Sequence, residues 1–275
     1  MRKLTWLLIL GFIAPAWAGD TATTKFRLAS DFLIIITGSI GPAQGLNFIV
    51  DTGAWRSAVD ADIARRLGLA GRSDEVLMLG RSQPAIRVEI ADLRFGPVSV
   101  PNLSVLAVDL TPFARRAGTR IDGVLGLDVL RGRNFAIDYR RKQLEFGAVE
   151  LHGPVLSFDP TSPYLVVAAQ VSGQPMRLLV DTGANRLSAF ADRLPDSLRQ
   201  RPAITATATS AAGSMKAAFL RNADIRVGNW RVPTALLFII PGGADFRDYD
   251  GHLGVHALGA GRVYFDFDNG QLRWE

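Results

Sequence analysis

The sequence of 275 residues contains no cysteine. That absence excludes disulfides, a cysteine-linked lipid anchor and zinc sites built on thiolates, so packing alone must hold the fold. Histidine is scarce, with only His152, His252 and His256. Gly254 between the last two argues against a shared helix face and no third ligand lies nearby, so no metal site is expected. Also missing is any apolar run of the ~20 residues that a spanning helix needs. What stands at the start is shorter: Arg2 and Lys3, an apolar run from Leu4 to Ala14, then Pro15 and Ala16-Trp17-Ala18. This is the form of a secretory signal peptide, residues 1–18, cut after Ala18 and leaving no stable membrane anchor. Its removal takes the formal charge from +5 to +3. The remaining basic residues are scattered and nearly all arginine, with no clustered run, so nucleic-acid binding is not expected.

What is present is a core and a repeat. Apolar residues make up 48% of a chain long enough for one large domain or two small ones. Phe48-Ile49-Val50-Asp51-Thr52-Gly53-Ala54 recurs as Leu178-Leu179-Val180-Asp181-Thr182-Gly183-Ala184, an offset of 130. Val100-Pro101 recurs as Val232-Pro233, each following a glycine, Gly96 or Gly228, by the same distance. Asp122-Gly123-Val124-Leu125-Gly126 recurs as Asp250-Gly251-His252-Leu253-Gly254, and Ile137-Asp138-Tyr139 as Phe265-Asp266-Phe267. One shared tetrapeptide would arise by chance in roughly one such chain in a few hundred. Four matches in the same order mark a duplicated fold, with lobes over residues 19–150 and 151–275.

Each copy reads as mostly strand. Leu33 to Ile36, Leu46 to Val50, Val76 to Leu79, Ile86 to Ile90 and Val98 to Leu106 are short apolar or alternating runs punctuated by Gly and Pro. Tyr164 to Ala169, Met176 to Val180, Ile204 to Thr209 and Leu236 to Ile240 repeat the rhythm. One helix is expected in the first copy, with Asp60 capping Ala61 to Leu67 and Gly68 at its end. Val149 to Pro163, with three prolines and a glycine, reads as the inter-lobe connection.

An aspartate directly after a buried apolar strand is costly unless it has hydrogen bonds, a partner or a raised pKa. Gly53 and Gly183 are expected to let the backbone turn sharply and bring amides to the carboxylates. Thr52 and Thr182 offer hydroxyls to tie the loops. If the lobes face each other, Asp51 and Asp181 meet and share one proton. The ionised member can then draw a proton from water while the neutral member protonates a carbonyl.

The apolar-apolar-Asp-Thr-Gly-Ala motif, Ser57, the helix ending Ala64-Arg65-Arg66-Leu67-Gly68-Leu69 and Asp122-Gly123-Val124-Leu125-Gly126 together resemble the retropepsin-like aspartic peptidases. The resemblance covers nearly all the chain after the leader and is strongest in the first copy. It implies a mainly β fold: two similar retropepsin/pepsin-like acid-protease β-barrel lobes with an active-site cleft between them. Asp51 and Asp181 are then catalytic, with Thr52, Gly53, Ala54, Thr182, Gly183 and Ala184 supporting their loops, and each apolar-apolar-Gly segment lies behind its loop. The family uses no metal or organic cofactor. Its flaps are glycine-tipped hairpins, for which Leu79-Gly80-Arg81-Ser82 and Ala211-Ala212-Gly213-Ser214 are the candidates, Gly80, Arg81, Gly213 and Ser214 forming the tips. Neither carries the tyrosine that pepsins place near a flap tip.

Three departures stand out. His252 replaces the Val124 of the first copy, the helix after the second motif is weak before Pro195, and no long pro-segment separates the leader from the first strand, so zymogen control is not expected. Ala54 and Ala184 replace the Ser or Thr of pepsins and cannot donate a side-chain hydrogen bond to the carboxylate. This predicts activity at mildly acidic to neutral pH. Asp138, Asp266, Asp122 and Asp250 read as structural turn residues, while Trp55 and Arg56 either line the cleft or pack at its rim. The expected activity is endopeptidase cleavage of extended polypeptide by a monomer that is periplasmic or secreted. The alternative is a peptide-binding module with little turnover.

Overall fold

The computed structural model describes residues 22–275 except 79–80, 202, 211–212, 222, 234–235 and 243–245. The signal-peptide segment lies outside the described residues. β-branched and leucine-rich runs form the strands they were expected to form. Leu33–Ile40 and Ala43–Val50 make an antiparallel hairpin, and Gly41 supplies the positive φ of its turn. Among the described strands, the first sheet has eight, in the order Arg27–Ala29, Leu33–Ile40, Ala43–Val50, Gly123–Leu125, Ala58–Asp60, Val98–Val108, Arg81–Phe95 and Gly71–Met78. Leu33–Ile40 also pairs with Arg81–Phe95, which curls this sheet back on itself.

The second sheet is built alike. Gln174–Asp181 pairs in parallel with Gly251–Gly254, as Ala43–Val50 does with Gly123–Leu125. Leu187–Phe190 then runs antiparallel to Gly251–Gly254, as Ala58–Asp60 does to Gly123–Leu125. The result is a mainly β protein of two curled, barrel-like sheet bodies. Asp122 and Asp250 fix the register at equivalent places. Asp122 Oδ2 accepts from the Asn47 amide at 2.8 Å, and Asp250 Oδ2 from the Arg177 amide at 2.8 Å. Each carboxylate ties its apolar-apolar-Gly segment to the strand that leads into an Asp-Thr-Gly-Ala loop.

A third sheet draws on both copies, in the order Ala22–Lys25, Gln143–Phe146, Phe135–Asp138, Arg262–Asp266, Gln271–Trp274 and Val155–Ser157. The stretch read as a mere connection therefore contributes an edge strand. At the centre Phe135 faces Phe265 across the strands, their rings stacked at 4.7 Å. Asp138 and Asp266 each accept from a backbone amide three residues on, Arg141 at 2.7 Å and Asn269 at 3.0 Å. A continuous apolar core runs through both copies, from Ile34, Phe48 and Val50 to Val180, Leu253 and Trp274.

The helix Ala61–Arg66 begins at Asp60, whose Oδ1 accepts from the Asp62 amide at 2.9 Å. The second loop is followed by a 3-10 turn, Ala191–Arg193, and the short helix Asp196–Arg199 behind Pro195. A further helix, Thr111–Ala117, was not expected from the sequence.

Candidate active site

Each Asp-Thr-Gly-Ala loop leaves the end of its central strand and meets the other loop. The Asp51 amide donates to the Leu125 carbonyl at 3.0 Å, which seats the first loop on the segment behind it. The register of the second places Asp181 beside Gly254. The threonines cross between copies and are buried, Thr52 at 0% and Thr182 at 2% exposure. Thr52 Oγ1 donates to the Val180 carbonyl at 2.8 Å and accepts from the Thr182 amide at 3.1 Å. Thr182 Oγ1 donates to the Val50 carbonyl at 2.8 Å and accepts from the Thr52 amide at 2.9 Å. Four hydrogen bonds thus satisfy buried backbone groups that neither loop could satisfy alone.

The aspartates meet inside this brace. Gly53 donates to Asp51 Oδ1 and Gly183 to Asp181 Oδ1, both at 2.8 Å, and the two carboxyls interact by a hydrogen bond. The expected reason for the glycines needs correcting. Neither Gly53 nor Gly183 adopts a positive φ, so a sharp turn is not what demands them. A Cβ on Gly53 would lie 2.6 Å from Asp181 Cγ, and one on Gly183 would lie 2.8 Å from Asp51 Oδ2. Glycine is required because the opposite carboxyl occupies the space a side chain would fill.

Burial raises both carboxyls above their ordinary range, and the charge of Asp51 raises Asp181 further. Backbone amides of Gly53 and Gly183 pull the other way without overcoming burial. The loops are equivalent, so the retained proton belongs to the pair and not to one residue. The amides of Ala54 and Ala184 add hydrogen bonds to Asp51 and Asp181 that the methyl side chains cannot provide.

Behind the loops the two copies differ. Ser57 Oγ donates to Asp128 Oδ1 at 2.6 Å and accepts from the Gly126 amide at 3.0 Å, locking the first loop's exit to the segment behind it. The sequence reading missed Asp128, although it directly follows Gly126-Leu127. In the second copy the equivalent positions are Leu187 and His256. His252, only 7% exposed, instead places Nδ1 3.1 Å from Ser188 Oγ, against the rings of Phe190 and Tyr249. Burial pushes its imidazole down to about 4. Tyr249, also missed, has its phenol raised first by burial, then by the charges of Tyr164 and Asp181. His252 stands on the strand Gly251–Gly254 and His256 on the turn after it.

The expected flap positions are hairpins. Gly71–Met78 pairs with Arg81–Phe95 up to Met78 opposite Arg81, and Ile204–Ser210 pairs with Gly213–Leu220 up to Ser210 opposite Gly213. Arg81, Gly213 and Ser214 therefore begin the return strands. The turn residues 79–80, with Gly80, and 211–212 lie outside the described residues.

Two curled β bodies, joined by a common sheet and presenting paired carboxyls from duplicated loops, define the architecture of a bilobal acid protease. A sequence profile described as aspartyl protease matches the chain twice, over residues 36–129 and 167–257. These stretches take in well over half of the sequence and contain both loops, and the chain belongs to the aspartyl protease family. No curated protein matches it. Among the described residues no helix is long and apolar enough to cross a membrane.

Proposed function

We propose that the protein is an aspartic endopeptidase that hydrolyses extended polypeptide through Asp51 and Asp181. The observation that carries this reading is the half-buried, mutually hydrogen-bonded carboxyl pair inside the reciprocal threonine brace. With one proton between them, the ionised carboxyl takes a proton from a water, whose oxygen bonds to the carbonyl carbon of the scissile amide. The protonated carboxyl gives its proton to the carbonyl oxygen, yielding a neutral gem-diol. Proton transfer to the amide nitrogen then breaks the C–N bond and releases amine and acid. The hairpins 71–95 and 204–220 fold down on the substrate, whose backbone pairs with their edges. The protein acts as a monomer, outside the cytoplasm after cleavage at Ala18, and needs no cofactor.

The test is digestion of a denatured protein by purified residues 19–275 across about pH 3 to 7. Asp51→Asn and Asp181→Asn should each lower the rate by about a thousandfold or more. Equal cleavage by wild type and either variant would sink the carboxyl pair. No cleavage by any of the three would favour a peptide-binding module. Ala54→Ser should move the acidic limb of the pH–rate profile down by about one unit, since a hydroxyl can donate to the ionised carboxylate.

A further inference from the structure

Five residues after each aspartate stands an arginine, Arg56 in the first copy and Arg186 in the second, again 130 apart. Their main chains are held in the same way. A Cβ on Gly126 would lie 2.6 Å from the Arg56 carbonyl carbon, and one on Gly254 would lie 2.6 Å from the Arg186 amide nitrogen. Both arginines therefore sit against the glycine that ends the segment behind their own loop, one in each copy.

Both side chains lie over an aromatic ring. The Arg56 guanidinium lies 4.4 Å from the Trp55 ring centroid, and that ring is 47% exposed. Its charge reaches Asp74 on the first hairpin, whose carboxyl is held below its ordinary range by the Glu75 amide, by Arg87 and more weakly by Arg56. The Arg186 guanidinium lies 5.8 Å from the Phe238 ring, which packs at 5.7 Å on Phe219 of the second hairpin. The Arg56 charge thus reaches the first hairpin at Asp74, and the Arg186 guanidinium reaches the second through Phe238. Among the described residues neither guanidinium has a carboxylate within ion-pair distance, whereas Arg87, Arg120, Arg177 and Arg262 all do.

We infer that Arg56 and Arg186 select substrates carrying an acidic side chain on each side of the cleaved bond, at matching distances from it. This rests on the endopeptidase reading above. The ligand chemistry is a carboxylate, which a guanidinium can bind through two parallel N–H···O bonds. The pseudo-symmetry of the two copies makes the preference two-sided, and the net positive charge of the chain adds a weaker, salt-sensitive attraction for acidic peptides.

The experiment uses a decapeptide cleaved at its centre, with Glu or Gln placed in turn at each position on either side. One position per side should show about a tenfold higher kcat/KM with Glu than with Gln. Taken as a ratio within each variant, Arg56→Gln should bring the preference to about one on one side only, and Arg186→Gln on the other. Arg56→Glu should turn its side toward lysine, which a loss of folding alone would not do. Equal rates for Glu and Gln with the wild-type protein overturn the charge preference and leave the carboxyl pair untouched. If the wild type cleaves neither peptide, the endopeptidase reading fails, and binding of the labelled peptides to Asp51→Asn decides the arginines. About tenfold tighter binding of the Glu peptide, narrowing between about 0.05 M and 0.5 M salt, upholds the inference; equal binding overturns it.

Discussion

Two ionisable sites, the half-buried carboxyl pair and buried His252, lie within one strand of each other and respond to acid in opposite directions. The folded Asp51–Asp181 pair holds a proton that the unfolded chain releases near 3.8, the ordinary carboxyl value. Stability from this site is therefore present at low pH and falls as pH rises through the raised range of the pair. Asp181→Asn removes that loss, so its melting temperature should exceed the wild type's at about pH 7, with the gap closing by about pH 4. A gap that does not change with pH would contradict the shared proton. His252 has the other sign. Its value falls from 6.5 to about 4 in the fold, so the unfolded chain binds the proton first. Stability is full above about pH 6.5 and is lost as pH falls from there to about 4, by about 3 kcal/mol at the end of that window. His252→Val, which copies Val124, should abolish this loss, read as melting temperature at about pH 4.5 against pH 7.5. Of the two sites, acid therefore weakens the fold at His252 alone, while the carboxyl pair is at its most stable there.

At the scale of elements, the threonine brace is the joint to test. Thr52→Val strands the Thr182 amide and the Val180 carbonyl in a buried site, at a cost of about 1–3 kcal/mol for each group left unpaired. Thr52→Ser keeps the hydroxyl and should stay near wild type in both denaturation midpoint and kcat. If valine is as well tolerated as serine, the brace has no energetic role. The loops were legible in the sequence because their chemistry is local: an apolar strand, a carboxylate, a hydroxyl and a glycine in a row. The helix at 61–66 was legible for the same reason, through Asp60 at its start and Gly68, at φ +64°, just past its end. The helix Thr111–Ala117 escaped, although Pro112 and the left-handed Gly118 mark its ends. Its start is held by Asp60 Oδ2, which accepts from the Leu110 amide at 3.0 Å across fifty residues of chain, and by Asp109 Oδ1, which accepts from the Thr111 amide at 2.9 Å. A local window contains Asp109 but not Asp60. Gly53 and Gly183 were read correctly as necessary but for the wrong reason, because the crowding comes from the other copy.

For the whole molecule, the common sheet decides how the lobes behave. The repeat at Ile137-Asp138-Tyr139 and Phe265-Asp266-Phe267 announced that the copies share a fold, but similarity between segments does not say that they touch. In fact Phe135–Asp138 and Arg262–Asp266 pair with each other. Arg262, 21% exposed, sits over the joint, 2.9 Å from Glu145, 3.3 Å from Glu275 and 3.5 Å from Asp138. Arg262→Ala leaves nearly buried Asp138 and Glu145 without their shared cation and should cost about 3 kcal/mol in urea denaturation. Because strands and core are continuous across the copies, thermal unfolding should be one transition with calorimetric and van't Hoff enthalpies equal, and two resolved transitions would refute it. The crossed threonines bear on timing as well. Thr52 and Thr182 are 130 residues apart, so at about 5–20 residues per second the second loop leaves the ribosome roughly 6 to 26 seconds after the first. Throughout that interval a nascent chain carries one carboxyl, with no second to share its proton and no opposite hydroxyl to hold its loop. A growing chain is therefore expected to be proteolytically silent within the cell that makes it.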